Sequence, residues 1–277
     1  MNQGSLKDSL KGILNNAELK ILHRSYDLIG DIAILDIPNE LQKKEKTIAT
    51  QLCKTHPHIK VVCKKIGNHY GKFRKQRLKI IYGEKRKETI HKENNILLKL
   101  HTEQCYFSPR LSYERMRIAK QVKKDENILV MFSGTGPYTF GLAKNTKAKS
   151  IIGIELNPTA HKYALENQIL NKATNTQCLL GDASKLVQPL KTKFDRILMP
   201  LPKGAENFLS TAYKAAKKST IIHFYDFQHE SDFKLSKEKV LESCKKAKIS
   251  CKILRLVKCG QYSPGKYRVC VDFKVKA

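Results

Sequence analysis

NILVMFSGTGPYTFGL, residues 127–142, limits what kind of fold this chain can adopt. Its first half, Ile128-Leu129-Val130-Met131-Phe132, is short and fully apolar, as a parallel strand buried on both faces must be. The run ends in Ser133-Gly134-Thr135-Gly136-Pro137, and residues 139–144 read as the opening turns of a helix. Glycines between a strand and a helix let the backbone approach a ligand where a side chain would intrude. Position 139, where a dinucleotide fingerprint would place its third glycine, is threonine. That argues against a pyrophosphate cofactor and leaves room for a smaller nucleoside such as S-adenosylmethionine. Alone, such a turn is as readily a plain structural one.

Downstream the chain alternates. Strands are expected at 150–156, 177–180, 194–199 and 220–225, and helices after Pro158, at 206–217 and at 237–248. Asn157 stands as an N-cap with Pro158 at the first helical position. Two last strands, 251–258 and 267–275, flank Gln261-Tyr262-Ser263-Pro264-Gly265 and read as a hairpin. The pattern predicts an α/β fold: a doubly wound, mostly parallel sheet with an antiparallel C-terminal hairpin. Glu155 ends the second strand of this region, where a carboxylate can accept from ribose hydroxyls. Asp182 ends the third, where it can accept from an adenine amino group. Each alone is more readily a cap or turn acid; in this order, with the glycine turn, they describe a nucleoside pocket. The fourth strand ends in Met199-Pro200-Leu201-Pro202-Lys203-Gly204, a rigid turn able to wall a flat base.

Upstream, residues 1–22 read as a short polar helix or a loose arm. Residues 26–38 form strand-turn-strand, 40–54 a helix, and 59–65, 73–82 and 88–99 further strands, making a small α+β unit. Within residues 60–87 stand eleven Lys and Arg and one acid, Glu84, interleaved with His69, Tyr70 and Phe73. Such a ribbon can track a phosphate backbone and stack on bases, or it can be a solvated strand face. The whole chain points to a polyanionic partner, since 53 Lys and Arg against 25 Asp and Glu leave a formal +28 over 277 residues. Eight scattered cysteines include no CxxC pair and no zinc spacing, so no metal is expected. No signal peptide or membrane span is visible, which reads as a reduced, cytoplasmic protein. Residues 110–123 are helical, with Leu111, Ile118, Ala119 and Val122 on one stripe and Arg110, Glu114 and Arg117 on another. By spacing alone, Arg110 and Glu114 make a surface ion pair.

Six blocks, SYDLIGDIAILDIP (25–38), ETIHKEN (88–94), YFSPRLSYERMR (106–117), MFSGTGP (131–137), DRILMPLPK (195–203) and YSPGKYRV (262–269), together resemble the archaeal tRNA guanine-37 methyltransferases of the wyosine pathway. The resemblance implies an S-adenosylmethionine-dependent enzyme with a Rossmann-like catalytic domain at 101–277. It also implies a tRNA-binding α+β domain at 25–100, with an arm, 1–24, in place of the family's separate N-terminal domain. Recognition would then rest on the anticodon arm, and the enzyme would act as a monomer. By the same resemblance Glu114 is the general base, and Arg74 contacts the target base and assists catalysis. Arg110, Pro202 and Lys203 join Arg74 in binding substrate. Tyr106, Arg115, Phe132, Ser133, Gly134, Thr135, Gly136, Glu155, Leu156, Asp182, Ala183 and Pro200 would line the cofactor.

Two positions depart from the family pattern. Val130 stands where aspartate is usual, and Pro200 where the asparagine of an NLPK motif would hold the base. Proline has neither an amide nor an N–H, so N1 methylation of guanosine is less expected than carbon methylation of the tricyclic wyosine precursor at the same position. Aminocarboxypropyl transfer from the same cofactor, and a non-catalytic RNA-binding role, are the alternatives.

Overall fold

The structure, a computed structural model, describes residues 6–23, 25–201 and 203–276. The chain forms two compact units, the first running to Lys92 and taking in Lys99–Pro109, the second holding Glu93–Leu98 and the chain from Arg110 on.

In the first unit, α1 (Leu6–Ser9) and α2 (Asn16–Ile21) precede β1 (Asp27–Ile29) and β2 (Ile32–Leu35). α3 (Glu45–Thr55) then crosses to β3 (Val61–Tyr70), parallel to β2, and β4 (Lys75–Gly83) returns antiparallel. The sheet order is β1-β2-β3-β4. The N-terminal segment is no loose arm: Leu6, Leu10, Leu14 and Leu22 pack with Leu41, Ile48, Leu52 and Val62. Leu6 lies on α1, Leu10 and Leu14 in the turn that follows it and Leu22 just past α2, and Asn15 and Glu18 close a reciprocal capping box at 2.9 Å each way. This segment therefore belongs to the first unit's core.

The expected single strand at 88–99 is instead a two-stranded ribbon, β5 (Glu88–Glu93) and β6 (Ile96–His101). It folds at Asn94 and Asn95, both left-handed at φ +41° and +64°, the conformation a two-residue type I′ turn requires. The division expected at residue 100 accordingly falls inside this ribbon. Its tip belongs with the second unit because Asn171 brackets Leu97, accepting from its N–H at 2.9 Å and donating to its C=O at 2.7 Å.

The second unit opens with α4 (Ser112–Ala119), then β7 (Asn127–Met131), α5 (Pro137–Asn145), β8 (Ser150–Glu155), α6 (Pro158–Leu170) and β9 (Thr176–Leu180). There follow α7 (Ala183–Leu186), β10 (Phe194–Met199), α8 (Leu209–Ala215), β11 (Ala216–His229), α9 (Phe233–Lys246), β12 (Cys251–Ser263) and β13 (Lys266–Val275). The sheet order is β12-β13-β11-β10-β7-β8-β9. Five strands are parallel and the last two antiparallel, as the alternation predicts. β11 runs longer than expected because β13 pairs with it from Ile221 to His229. Along β7 successive residues feed opposite cores: Leu129 and Met131 into one, Ile128 and Val130 into the other. That explains the uninterrupted apolar run. Chain order reverses between β7 and β10, the place where open α/β sheets bind ligands. Among the described residues no helix is long and apolar enough to cross a membrane.

Candidate active site

At the end of β7, Phe132 takes φ +60°, a strained conformation for a bulky residue. It is held by an edge contact with Phe208, ring centroids 4.9 Å apart, while Ser133 N–H donates to the Ile154 carbonyl at 2.8 Å. Gly134 and Gly136 are left-handed at φ +60° and +89°, and a Cβ on Gly136 would lie 2.1 Å from the Phe140 ring. Position 139 needs no glycine because the space is made on the other side. A Cβ on Gly153 of β8 would meet Thr139 Oγ1 at 2.9 Å and Ser133 Cβ at 3.1 Å.

Glu155 reaches across to this turn. Its Oε2 accepts from Gly134 N–H and its Oε1 from Asn157 N–H, each at 2.7 Å. Burial raises its carboxyl above the ordinary range against the pull of these backbone donors. Asp182 caps α7, its Oδ1 accepting from the Ser184 N–H at 2.8 Å and hydroxyl at 2.7 Å. Ser133, Gly134, Thr135, Gly136, Glu155, Leu156, Asp182 and Ala183 thus gather at the adjacent ends of β7, β8 and β9. The cradle fits a nucleoside. Its backbone is open at a left-handed glycine, a fixed acid flanks it, and Thr135 Oγ1 is a buried hydroxyl without a partner among the described residues. At the end of β10, Pro200 is half-buried, and Leu201 N–H turns back onto the Met199 carbonyl at 2.8 Å. Lys203 is exposed, and Pro202 lies outside the described residues.

α4 does not form the surface pair Arg110–Glu114. Arg110 is exposed, whereas Glu114 is only 2% exposed and is gripped by Arg117, Nε to Oε2 at 2.6 Å and Nη2 to Oε1 at 2.8 Å. Tyr225 OH donates to the same Oε1 at 2.6 Å, and Tyr138 OH donates to Tyr225 OH at 2.9 Å. Behind Arg117 the network continues through Asp272, His223, Arg196 and Glu126. Burial pushes both tyrosines well above their usual values. His223, Cys270 and Asp272 bring ligand atoms within 4.8 Å of one another, but Arg117 and Arg196 supply the positive charge there. Arg115 points elsewhere: both ends of its guanidinium pair with the Glu93 carboxylate, tying α4 to the ribbon tip.

In the first unit, Arg74 takes φ +53° after a turn in which its N–H donates to the Gly71 carbonyl at 3.1 Å. Its guanidinium carbon lies 4.0 Å from the Tyr106 ring centre, and His69 packs edge-on to the same ring at 5.4 Å. The basic ribbon is partly neutralised. Lys64 and Lys79 pair with Glu45, Lys65 with Asp27, Arg86 with Asp31 and Glu84, and Lys87 with Glu103. At the β3–β4 tip, Lys72 and Lys75 lie over Phe73 and Arg77 over Tyr70.

Residues 89–254 match the TRM5/TYW2 methyltransferase domain, and residues 6–86 match the TYW2 N-terminal domain. The chain belongs to the TRM5/TYW2 methyltransferase family. It is 38% identical to the tRNA (guanine(37)-N(1))-methyltransferase Trm5b of Pyrococcus abyssi, over 92% of this chain and 76% of that one. The crystal structure of that protein superposes with a TM-score of 0.87. The tRNA 4-demethylwyosine(37)-methyltransferase Taw21 of Saccharolobus solfataricus is 36% identical over 91% of this chain and 94% of its own. Pyrococcus horikoshii TYW2, in complex with MeSAdo, matches at TM-score 0.80 and 28% identity over 98% of both chains. The protein is therefore an S-adenosylmethionine-dependent enzyme of this family.

Arg117, Tyr225, Asp272 and His223 escaped the sequence reading. Arg117 was visible as the third member of a polar stripe, but Asp272 lies 155 residues away and no spacing rule joins them.

Proposed function

We propose that this enzyme methylates the base at position 37 of tRNA and prefers a carbon of the tricyclic wyosine precursor over N1 of unmodified guanosine. The turn that closes β10 carries the preference. Pro200 offers no side-chain amide and no N–H, and the next N–H, that of Leu201, is already given to Met199. A guanine edge that must be read by hydrogen bonds finds no donor on those two backbone positions. A larger fused ring gains instead from a rigid apolar wall. The named activity of Taw21 supports the same direction.

S-Adenosylmethionine supplies a methyl group activated by a sulfonium. The residues around Gly134, with Glu155 and Asp182, hold its nucleoside. Glu114 accepts the proton that the ring atom sheds as it gains the methyl. Arg74, pinned on Tyr106, stabilises negative charge developing on the base oxygen. The cations at the β3–β4 tip bind the anticodon arm.

The test is direct. Purified protein is incubated with S-adenosylmethionine and tRNA bearing either guanosine or the tricyclic precursor at position 37, and the digested nucleosides are identified by mass spectrometry. A singly methylated tricycle supports the reading. An aminocarboxypropyl adduct, or N1-methylguanosine alone, overturns it.

A further inference from the structure

We propose that Arg117 and Tyr225 are positioning residues that orient Glu114 so that Oε2, and not Oε1, takes the proton. The inference rests on the reading of Glu114 as the base. An ionised carboxylate has about four lone-pair sites, roughly two on each oxygen. Oε1 accepts from both Arg117 Nη2 and Tyr225 OH, and is filled. Oε2 accepts from Arg117 Nε, which leaves it one site.

Arg117 cannot swing freely. Its Nη1 donates to Asp272 Oδ2 at 2.7 Å, and Arg255 pairs with that carboxylate at 3.1 Å. Asp272 Oδ1 meets His223 Nδ1 at 2.6 Å, and His223 Nε2 meets Arg196 at 2.8 Å. Arg196 in turn holds Glu126 through two bonds of 2.7 and 2.9 Å. Tyr225 is fixed from its other side by Tyr138. All the rings and carboxylates in this chain are buried, so each hydrogen bond is costly to leave unmade and the geometry persists. In the transfer, the bond from the ring atom to hydrogen breaks and its electron pair stays on the ring for the new bond to the methyl carbon, while the methyl's bond to the sulfonium would break with its pair returning to sulfur as a neutral thioether. The proton goes to Oε2, and the carboxylate becomes a carboxylic acid.

Tyr225→Phe removes one hydroxyl from a site whose shape it keeps. It should lower kcat by about tenfold, the effect of losing one hydrogen bond to a charged group, and leave KM for tRNA and the affinity for S-adenosylmethionine unchanged. Arg117→Lys should lose more, because a single ammonium cannot make the paired grip. A double-mutant cycle separates positioning from simple packing. In a Glu114→Gln background, Tyr225→Phe should cost nothing further, since it acts only through that carboxylate. If its tenfold loss persists undiminished there, the positioning role is wrong. If Glu114→Gln alone retains full activity, it is the assignment of the base that fails.

Discussion

Phe132, Gly134 and Glu155 show how few atoms fix the cradle at the end of β7. The Glu155 carboxylate ties β8 to the glycine turn by accepting the Gly134 N–H, so the position of that acid and of that turn are set by one bond. Glu155→Ala should weaken S-adenosylmethionine by roughly 10- to 100-fold in calorimetry, the scale of lost charge-assisted hydrogen bonds. Unchanged affinity would remove Glu155 from the site. Asp272 makes a separate prediction. Burial favours its neutral form, but His223 and Arg117 outweigh burial and hold the carboxyl well below the usual carboxylate range. A folded value below the unfolded one, about 3.9, means that the charge stabilises the fold above about pH 4. That contribution is lost as pH falls toward the folded-state value. Asp272→Asn should therefore cost about 3–5 kcal/mol near neutrality. Its deficit should shrink in unfolding measurements taken below about pH 4; a deficit constant with pH would contradict the ion-pair account. None of these partners was legible by spacing. Glu155 was, because it stands at a strand end in register with the turn.

At the scale of elements, the β3–β4 hairpin separates useful charge from structural charge. Glu45 alone engages both Lys64 and Lys79, and Asp27 engages Lys65. The cations over aromatic rings at the tip, Lys72, Lys75 and Arg77, are better placed for phosphates and bases. Replacing those three together should flatten the salt dependence of tRNA binding, each lost phosphate contact taking about 0.7–0.9 from the slope. Replacing Lys64, Lys65 and Lys79 should change the slope much less and the melting temperature more. Equal slopes for both triple variants would mean that the hairpin is only a solvated face. Counting cations in the sequence could not draw this distinction, because it depends on which acids fold back onto the strands. The β5–β6 ribbon was missed for a different reason. Thr89-Ile90 and Ile96-Leu97-Leu98 flank the turn on both sides, and the Asn94-Asn95 turn signal is weaker than an Asn-Gly pair.

For the whole molecule, the parallel sheet and its antiparallel finish were readable because hydrophobic period and strand-helix alternation are local properties of the chain. The division into units was less so. Leu6, Leu10 and Leu14 lie in a stretch rich in polar residues, and the ribbon tip joins the second unit through contacts to Ser112, Arg115, Asn145 and Asn171 that no local pattern announces. The proposed substrate preference rests on one position at the end of β10, Pro200, which has no hydrogen-bonding side chain. The measurement that tests it most directly is a competition between tRNA bearing the tricyclic precursor and tRNA bearing guanosine at position 37, read as the ratio of kcat/KM, for the wild type and for Pro200→Asn. The wild type should favour the tricycle by at least about tenfold, a modest difference for a single wall contact, and Pro200→Asn should shift the ratio toward guanosine. A wild type that methylates guanosine as fast as the tricycle, with the ratio unmoved by the substitution, would contradict it.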